Sequence, residues 1–349
     1  MSRLILLYVS AVYVAIVNGS SLAAWNAWDG RWYAGIASHG YTWTYQPGKS
    51  ALAFFPVYPA LVHVAITVGV PEVLGAILIS NVAFVVALFY VHAVLKTRFG
   101  ALSAERALML LAVFPAAFFT FAPYSESTFL LCAVATFYHA NRRQALTTGG
   151  WLAAATLTRP TGLILILPAF ALLRPIGPRS AVRCLAPVVV AWAGYAAYLA
   201  SHGSSLRAVY AAQRPWHRSL TWPWTGFTAS LDWLFKHGGS NPGWVVENML
   251  GVAVVVLFLA LTALAWRSLC AASRLYIGGF WAAVLCTPQW LDGYYAPFSS
   301  TVRFVLVLFP LAGWAASRLS GRAFAAVAGG SAVLVSVGAS VHLMGGWVG

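Results

Sequence analysis

Apolar stretches of about 15 to 23 residues follow one another along the chain, separated by short turns in which proline, glycine and arginine collect. A run of that length is what a helix needs to cross the hydrocarbon layer. The pattern predicts eleven spans, at roughly 3–20, 73–95, 106–122, 127–141, 145–158, 162–174, 184–200, 245–266, 275–290, 303–318 and 323–344. The pair at 145–158 and 162–174 is short. Segment 57–70, "VYPALVHVAITVGV", is too short to cross and is expected to lie along the interface. Leu4 to Val17 has the apolar length of a signal peptide, but it is read as a retained first span because the loop behind it holds the densest polar chemistry. No repeat of about 20 to 50 residues is visible, and no stretch reads as a linker to a soluble domain. The fold class is therefore an all-α polytopic membrane protein, with residues 1–349 forming one integral-membrane domain.

Composition agrees, since 61% of the 349 residues are hydrophobic and 8% are charged, more apolar surface than a soluble domain of this size can hide. The net charge of +14 raises the question of nucleic acid, but the basic residues are scattered through short loops instead of lining one face or tail. They read as topology. With Arg3 cytoplasmic, the groups Lys96/Arg98/Arg106, Arg142/Arg143, Arg174/Arg179/Arg183, Arg267/Arg274 and Arg318/Arg322 fall on the same side, thirteen of the 21 basic residues. Six of the seven acids (Asp29, Glu72, Glu126, Asp232, Glu247, Asp292) then face the opposite side, and only Glu105 faces the cytosol. Two long outer loops result, 21–72 and 201–244. The four cysteines lie in or at the ends of apolar runs without paired spacing and read as packing residues. Localisation follows as a multi-pass membrane protein, in a bacterial plasma membrane to judge from the Arg- and Ala-rich composition.

The first outer loop contains "WNAWDGRWYAGIASHGY" at 25–41, where Trp25, Trp28, Trp32, Tyr33, Tyr41, Trp43 and Tyr45 crowd around Asp29, Arg31, His39 and Lys49. Amphipathic rings collect at membrane edges, and Asp29 suits the N-cap of a short helix from Gly30 to Ser38 closed by Gly40. A capped helix would also hold a carboxylate in a fixed place, so the structural and the chemical readings of Asp29 are compatible.

"WDGRWYAGIASHGY", followed by "AFFPVYPALV" at 53–62, "PYSESTFLL" at 123–131, "TLTRPTGLILILPAF" at 156–170 and "RFVLVLFPL" at 303–311, resembles the signature of the PIG-V-like mannosyltransferases. That is the family of GPI mannosyltransferase II and its bacterial relatives, within the GT-C class of integral-membrane glycosyltransferases. The resemblance implies transfer of a hexose, typically mannose, from a polyprenyl or dolichyl phosphate sugar to a hydroxyl of a lipid-linked or membrane-associated acceptor. It also implies an acidic catalytic base on the first outer loop, the position of Asp29. Loop 201–244 matches nothing diagnostic of the acceptor.

The residues suit that reaction. A lipid-phosphate sugar carries a good leaving group, so a carboxylate within ~2.6–3.2 Å of the acceptor hydroxyl suffices as general base, contributing roughly 100- to 10,000-fold, and attack opposite the phosphate inverts the anomeric centre. The departing phosphate needs fixed cations. Arg303, Arg159 and Lys49 are the candidates, Arg159 because an arginine within an apolar stretch costs about 2.5–3.5 kcal/mol unless it faces protein or water. Arg159 could equally snorkel to the interface or cap the preceding helix. Trp28, Arg31, His39, Tyr41, Tyr58, Glu126 and Asp292 are candidates for sugar or acceptor contacts. Beside those roles, Glu126 would cap the next span, Asp292 would form a turn with Gly293, His39 would end a helix, and most rings of "AFFPVYPALV" would hold an interfacial helix. No cofactor is required. HExxH, DxD and paired cysteines are absent, although Asp29 with Glu126 or Asp292 could converge on a divalent ion. The alternatives are a transporter or lipid flippase using the same outer charges, which would be expected to show paired repeats, and a non-catalytic membrane partner.

Overall fold

Helix follows helix without an intervening strand among the described residues of this computed structural model, which are 2–17, 21–46, 48–216, 220–237, 242–289 and 297–346. In chain order they are α1 (Ser2–Val17), α2 (Ser21–Trp25), α3 (Asp29–His39), α4 (Val57–Thr67), α5 (Glu72–Phe99), α6 (Ala101–Ala112), α7 (Glu126–Asn141), α8 (Ala145–Thr156) and α9 (Ile166–Leu173). The second half holds α10 (Arg179–Ser201), α11 (Leu206–Ala211), α12 (Thr225–His237), α13 (Pro242–Ala265), α14 (Ala271–Cys286), α15 (Thr301–Phe304), α16 (Phe309–Arg318) and α17 (Gly321–Leu343).

α5 is the longest, roughly 42 Å at the standard rise per residue. Glu72 lies in its first turn and Lys96 and Arg98 in its last, each opposing the helix dipole, and Gly100 with φ of 83° turns the chain directly into α6. Ala76, Ser80, Ala83, Ala87 and Val91 form a narrow buried stripe on it, which lets neighbouring helices approach closely. α5 packs on α6 and α7, α7 on α8, and α8 on α10. α16 closes against α6, α14 against α9 and α1 against α17.

A described helix lies within each of the eleven stretches expected as spans, without filling all of them. Four described helices are long and apolar enough to cross a membrane singly, Glu72–Phe99, Arg179–Ser201, Val245–Ser268 and Gly321–Leu343, and a fifth is the pair Thr301–Val307 and Phe309–Arg318, bent by 78°. The expected span 106–122 is interrupted. α6 stops at Ala112, and the chain continues past Pro115 to a single 3-10 turn at Ala117–Thr120 whose four residues are all buried. Non-helical backbone at that depth is tolerated because protein encloses it. Segment 57–70 forms α4, lying on α3 and α5 with Tyr58 and Val62 inward and Leu61, Val64 and Val68 outward.

Arg3 departs from the topology read in the sequence. It does not join the basic rim of Lys96 and Arg98 but donates to Asn81 Oδ1, Thr120 Oγ1 and the Thr120 carbonyl, each at 2.9 Å, with its guanidinium over the Phe84 ring. Counting charges in loops cannot reveal an arginine whose hydrogen bonds are met inside the bundle.

Candidate active site

The site lies at the end of the bundle away from the basic rim, where three chain breaks converge. The first is the start of α3. Trp28 turns the chain with φ of 53°, and α3 begins at Asp29 itself. Asp29 is therefore not an N-cap, and its side chain is available for other contacts. Gly30 fits the space behind it, since a Cβ there would come to 3.2 Å from Asn26 Oδ1 and 3.4 Å from the Pro123 carbonyl. This approach sets the first turn of α3 against the segment leading into α7. The second break is that segment, after which Glu126 stands fully buried in the first turn of α7, where a helix N-terminus favours an anion. The third is the bend in the last broken span. Ser300, with φ of 70°, starts α15 and carries Arg303 inward.

The charged groups form a chain. Asp29 Oδ2 lies 2.8 Å from Arg303 Nη1, Arg303 Nη1 lies 3.6 Å from Glu126 Oε1, and Glu126 Oε1 lies 2.5 Å from Arg159 Nη2. Two carboxylates and two guanidiniums balance, which is what allows four charges to share a buried place. Access is graded, with side-chain exposure of 23% for Asp29, 13% for Arg159, 7% for Arg303 and none for Glu126. Asp29 is the most open of the four. The Arg303 guanidinium is sandwiched among Phe119, Tyr124 and Phe304, at 5.4, 5.6 and 5.2 Å from the ring centres, and Arg159 shares the Phe304 ring at 5.2 Å. Arg159 stands in extended backbone between α8 and the 3-10 turn Pro160–Leu165, and its Nε donates to Ser125 Oγ at 3.1 Å. Its side chain makes no cap bond and turns into the protein toward Glu126, away from a snorkelling position.

Tyr33 and Tyr124 complete the surround. Tyr33, one turn after Asp29 on the same face of α3, meets Ser125 Oγ at 2.8 Å, and burial pushes its phenol up to about 12. The Tyr124 hydroxyl donates to the Ala27 carbonyl at 3.0 Å, fixing the loop ahead of Asp29. Neither was singled out in the sequence as a site residue, although the i, i+4 spacing from Asp29 to Tyr33 carries the signal.

The other candidates do not join this cluster. Arg31 and His39 lie on the opposite face of α3 and line a separate cavity of about 290 Å³ with Trp43, Tyr45 and Glu72. There Arg31 Nη1 donates to the Tyr45 hydroxyl at 2.7 Å, His39 stacks near Trp43, and Ser38 Oγ donates to the Glu72 carboxylate. Tyr58 is fully buried, so it offers no face for a sugar to stack on. Its hydroxyl bonds the Ala76 carbonyl at 2.9 Å and Ser80 Oγ at 2.8 Å, making it a post between α4 and α5. The Tyr41 hydroxyl donates to the Phe54 carbonyl at 2.8 Å, and burial, then neighbouring Tyr195, holds its pKa well above the usual phenol value. Trp28 is exposed beside Asp29, and Lys49 is half-buried just before the turn Ala51–Ala53. Asp292 lies outside the described residues. Among the described residues no group of three or more His, Cys, Asp or Glu side chains is arranged to hold a metal ion.

The fold matches crystal structures of ArnT from Cupriavidus metallidurans, bound to undecaprenyl phosphate (TM-score 0.56, 15% identity) and in the apo state (TM-score 0.55, 14% identity). Each match covers 94% of this chain and 63% of the ArnT chain, so the protein spans less than two thirds of the length of these neighbours. No curated protein matches the chain in sequence. Residues 3–170 match the family described as Mannosyltransferase (PIG-V).

Proposed function

We propose that the protein transfers a hexosyl group, mannosyl in the first instance, from a polyprenyl or dolichyl phosphate sugar to a hydroxyl of a lipid-linked or membrane-associated glycan acceptor, on the non-cytoplasmic side. The observation that carries this reading is the Asp29–Arg303 contact at 2.8 Å, in which the most open carboxylate of the cluster faces a guanidinium held from behind by Glu126. A donor phosphate arriving at Arg303 would replace the Asp29 oxygen, exchanging one anion for another on the same cation. Asp29 is then free to accept the proton of the acceptor hydroxyl. The acceptor oxygen bonds to the anomeric carbon, the bond from that carbon to the phosphate oxygen breaks, and polyprenyl phosphate leaves with both electrons of that bond. One displacement inverts the anomeric centre and needs no covalent intermediate and no metal.

Arg303 and Arg159 would neutralise the developing phosphate charge in a place from which water is largely withdrawn, where fixed cations act most strongly. Domain organisation follows from the same picture, a single membrane domain whose first outer loop 21–72 supplies the base, with loop 201–244 the candidate for acceptor choice. The match to the mannosyltransferase family and the undecaprenyl phosphate bound by ArnT support a polyprenyl-phosphate donor. The test is transfer of label from radiolabelled polyprenyl phosphate mannose to lipid acceptors by purified wild-type protein and by Asp29→Asn. Transfer by wild type with loss in the variant supports the proposal. An Asp29→Asn protein that transfers normally removes Asp29 from the base role, and label accumulating inside proteoliposomes without an acceptor product would favour transport.

A further inference from the structure

At the far end of the bundle from Asp29, where α5 and α16 both finish, a cavity of about 340 Å³ is lined by Arg98, Phe99, Ser268, Trp314, Ser317 and Arg318. The geometry points to a second binding site here, for a phosphate group, separate from the transfer site. The two arginines converge on one residue: Arg98 Nη2 donates to the Ser268 carbonyl at 2.8 Å and Arg318 Nη2 reaches Ser268 Oγ at 3.5 Å. Both guanidiniums are exposed and retain donors for a ligand. Trp314 forms a buried wall of the cavity. Close packing fixes the walls, since a Cβ on Gly313 would come to 2.7 Å from Leu95 and 2.9 Å from Phe99.

Electrostatics select the ligand. Lys96, Arg106, Arg267, Arg274 and Arg322 reach the same end, and Glu105 is the one acid assigned to this side by the loop pattern. Arg106 is tied to the Leu319 carbonyl, while Arg274 is occupied by the Trp266 and Arg267 carbonyls. Arg98 and Arg318 are the two basic residues that line the cavity. A basic pocket between helix ends, at the level of the membrane surface, has the chemistry to hold the phosphate of an anionic phospholipid. An inorganic phosphate ion offers the same oxygens without the acyl chains.

The two sources separate in one experiment on the full chain. Native mass spectrometry would count phosphatidylglycerol and phosphatidylcholine adducts on wild type and on Arg98→Ala/Arg318→Ala, while thermal melting would be followed with inorganic phosphate. For a lipid site, wild type retains phosphatidylglycerol in preference to phosphatidylcholine and the double variant binds it at least about tenfold more weakly, with the difference shrinking at high salt. For a free-ion site, inorganic phosphate raises the melting temperature of wild type but not of the double variant. If neither ligand distinguishes the two proteins, no phosphate site exists here. Should the double variant fail to fold, Arg98→Gln and Arg318→Gln serve singly, each expected to weaken binding about threefold or more. Unchanged binding in both overturns the inference.

Discussion

Asp29 and Arg303 come from opposite ends of the sequence and meet at 2.8 Å, one at the first residue of α3 and the other just inside the bend of the last broken span. The pair joins the two regions that the family match and the fold match each cover differently. Residues 3–170 contribute Asp29, Glu126 and Arg159, while Arg303 is supplied by the half outside the family match. Arg303 touches both carboxylates, so the site is complete only when the whole bundle has closed.

Asp29→Asn keeps the size of the side chain and removes its ability to take a proton. Initial transfer rates at saturating donor should fall roughly 100- to 10,000-fold, the span expected for loss of a general base. Arg303 retains Glu126, so the melting temperature of the purified variant should remain close to that of wild type. A variant that loses activity only because it has unfolded would show itself in that second measurement.

Arg303→Lys preserves charge but replaces a planar fork with a single ammonium, which cannot serve Asp29, Glu126 and a phosphate together. The expected outcome is a rise of about tenfold or more in KM for the lipid-phosphate sugar. Steady-state kinetics with the donor varied and the acceptor fixed would check it. A kcat change with KM unaltered would place the phosphate elsewhere.

How much of this was visible beforehand varies with the reach of the interaction. The residues Asp29, Glu126, Arg159 and Arg303 stand in short local strings, and all four were legible as candidates. Their order in space was not, because Glu126 lies between the two arginines only through the turn at Ser300 and the tight passage at Gly162, where a Cβ would be 2.4 Å from the Ala155 backbone. The role of Tyr58 is hidden for a related reason. An aromatic at an interfacial helix offers the same sequence signal whether its ring faces substrate or, as here, stands upright between α4 and α5 with its hydroxyl on Ser80. Arg31 and His39 share α3 with Asp29, and helical phase alone separates them from it.

Two glycines should respond in opposite directions. Gly162→Ala sets a methyl against the Ala155 backbone and should destabilise by about 1–3 kcal/mol, the usual cost of overpacking. Gly150, inside α8 with nothing within 4 Å of its would-be Cβ, should gain about 0.4–1 kcal/mol on replacement by alanine through reduced freedom of the unfolded chain. Thermal melts of the two variants side by side would check the sign of each.

Tyr33 predicts a behaviour in alkali. Its phenol is pushed up to about 12 by burial, against 10.0 for an ordinary tyrosine. The unfolded chain therefore loses this proton first, and the stability gained is fully present below pH 10 and falls as the pH rises from 10 through 12. The slope is about 1.4 kcal/mol per pH unit for one group. Tyr33→Phe should lower stability at neutral pH by about 1 kcal/mol, through loss of the bond to Ser125, while making the decline above pH 10 shallower. Denaturation midpoints measured across pH 8 to 12 would reveal whether the two curves converge.

Glu126 should prove to be a stabilising anion rather than a reacting one. It has no solvent exposure, it contacts Arg159 at 2.5 Å and Arg303 at 3.6 Å, and its Oε2 has no partner among the described residues. Removing one member of a buried ion pair costs about 3–5 kcal/mol because the other charge is left behind, and here Arg159 is left while Arg303 keeps Asp29. Glu126→Gln should therefore lower the melting temperature more than Arg159→Gln, whose loss leaves Glu126 still paired with Arg303. In a double-mutant cycle the two changes should fall short of additivity by about 0.5–3 kcal/mol. Equal and additive losses would mean that Glu126 and Arg159 act independently, and the ordering of the two guanidiniums around one carboxylate oxygen would have to be abandoned.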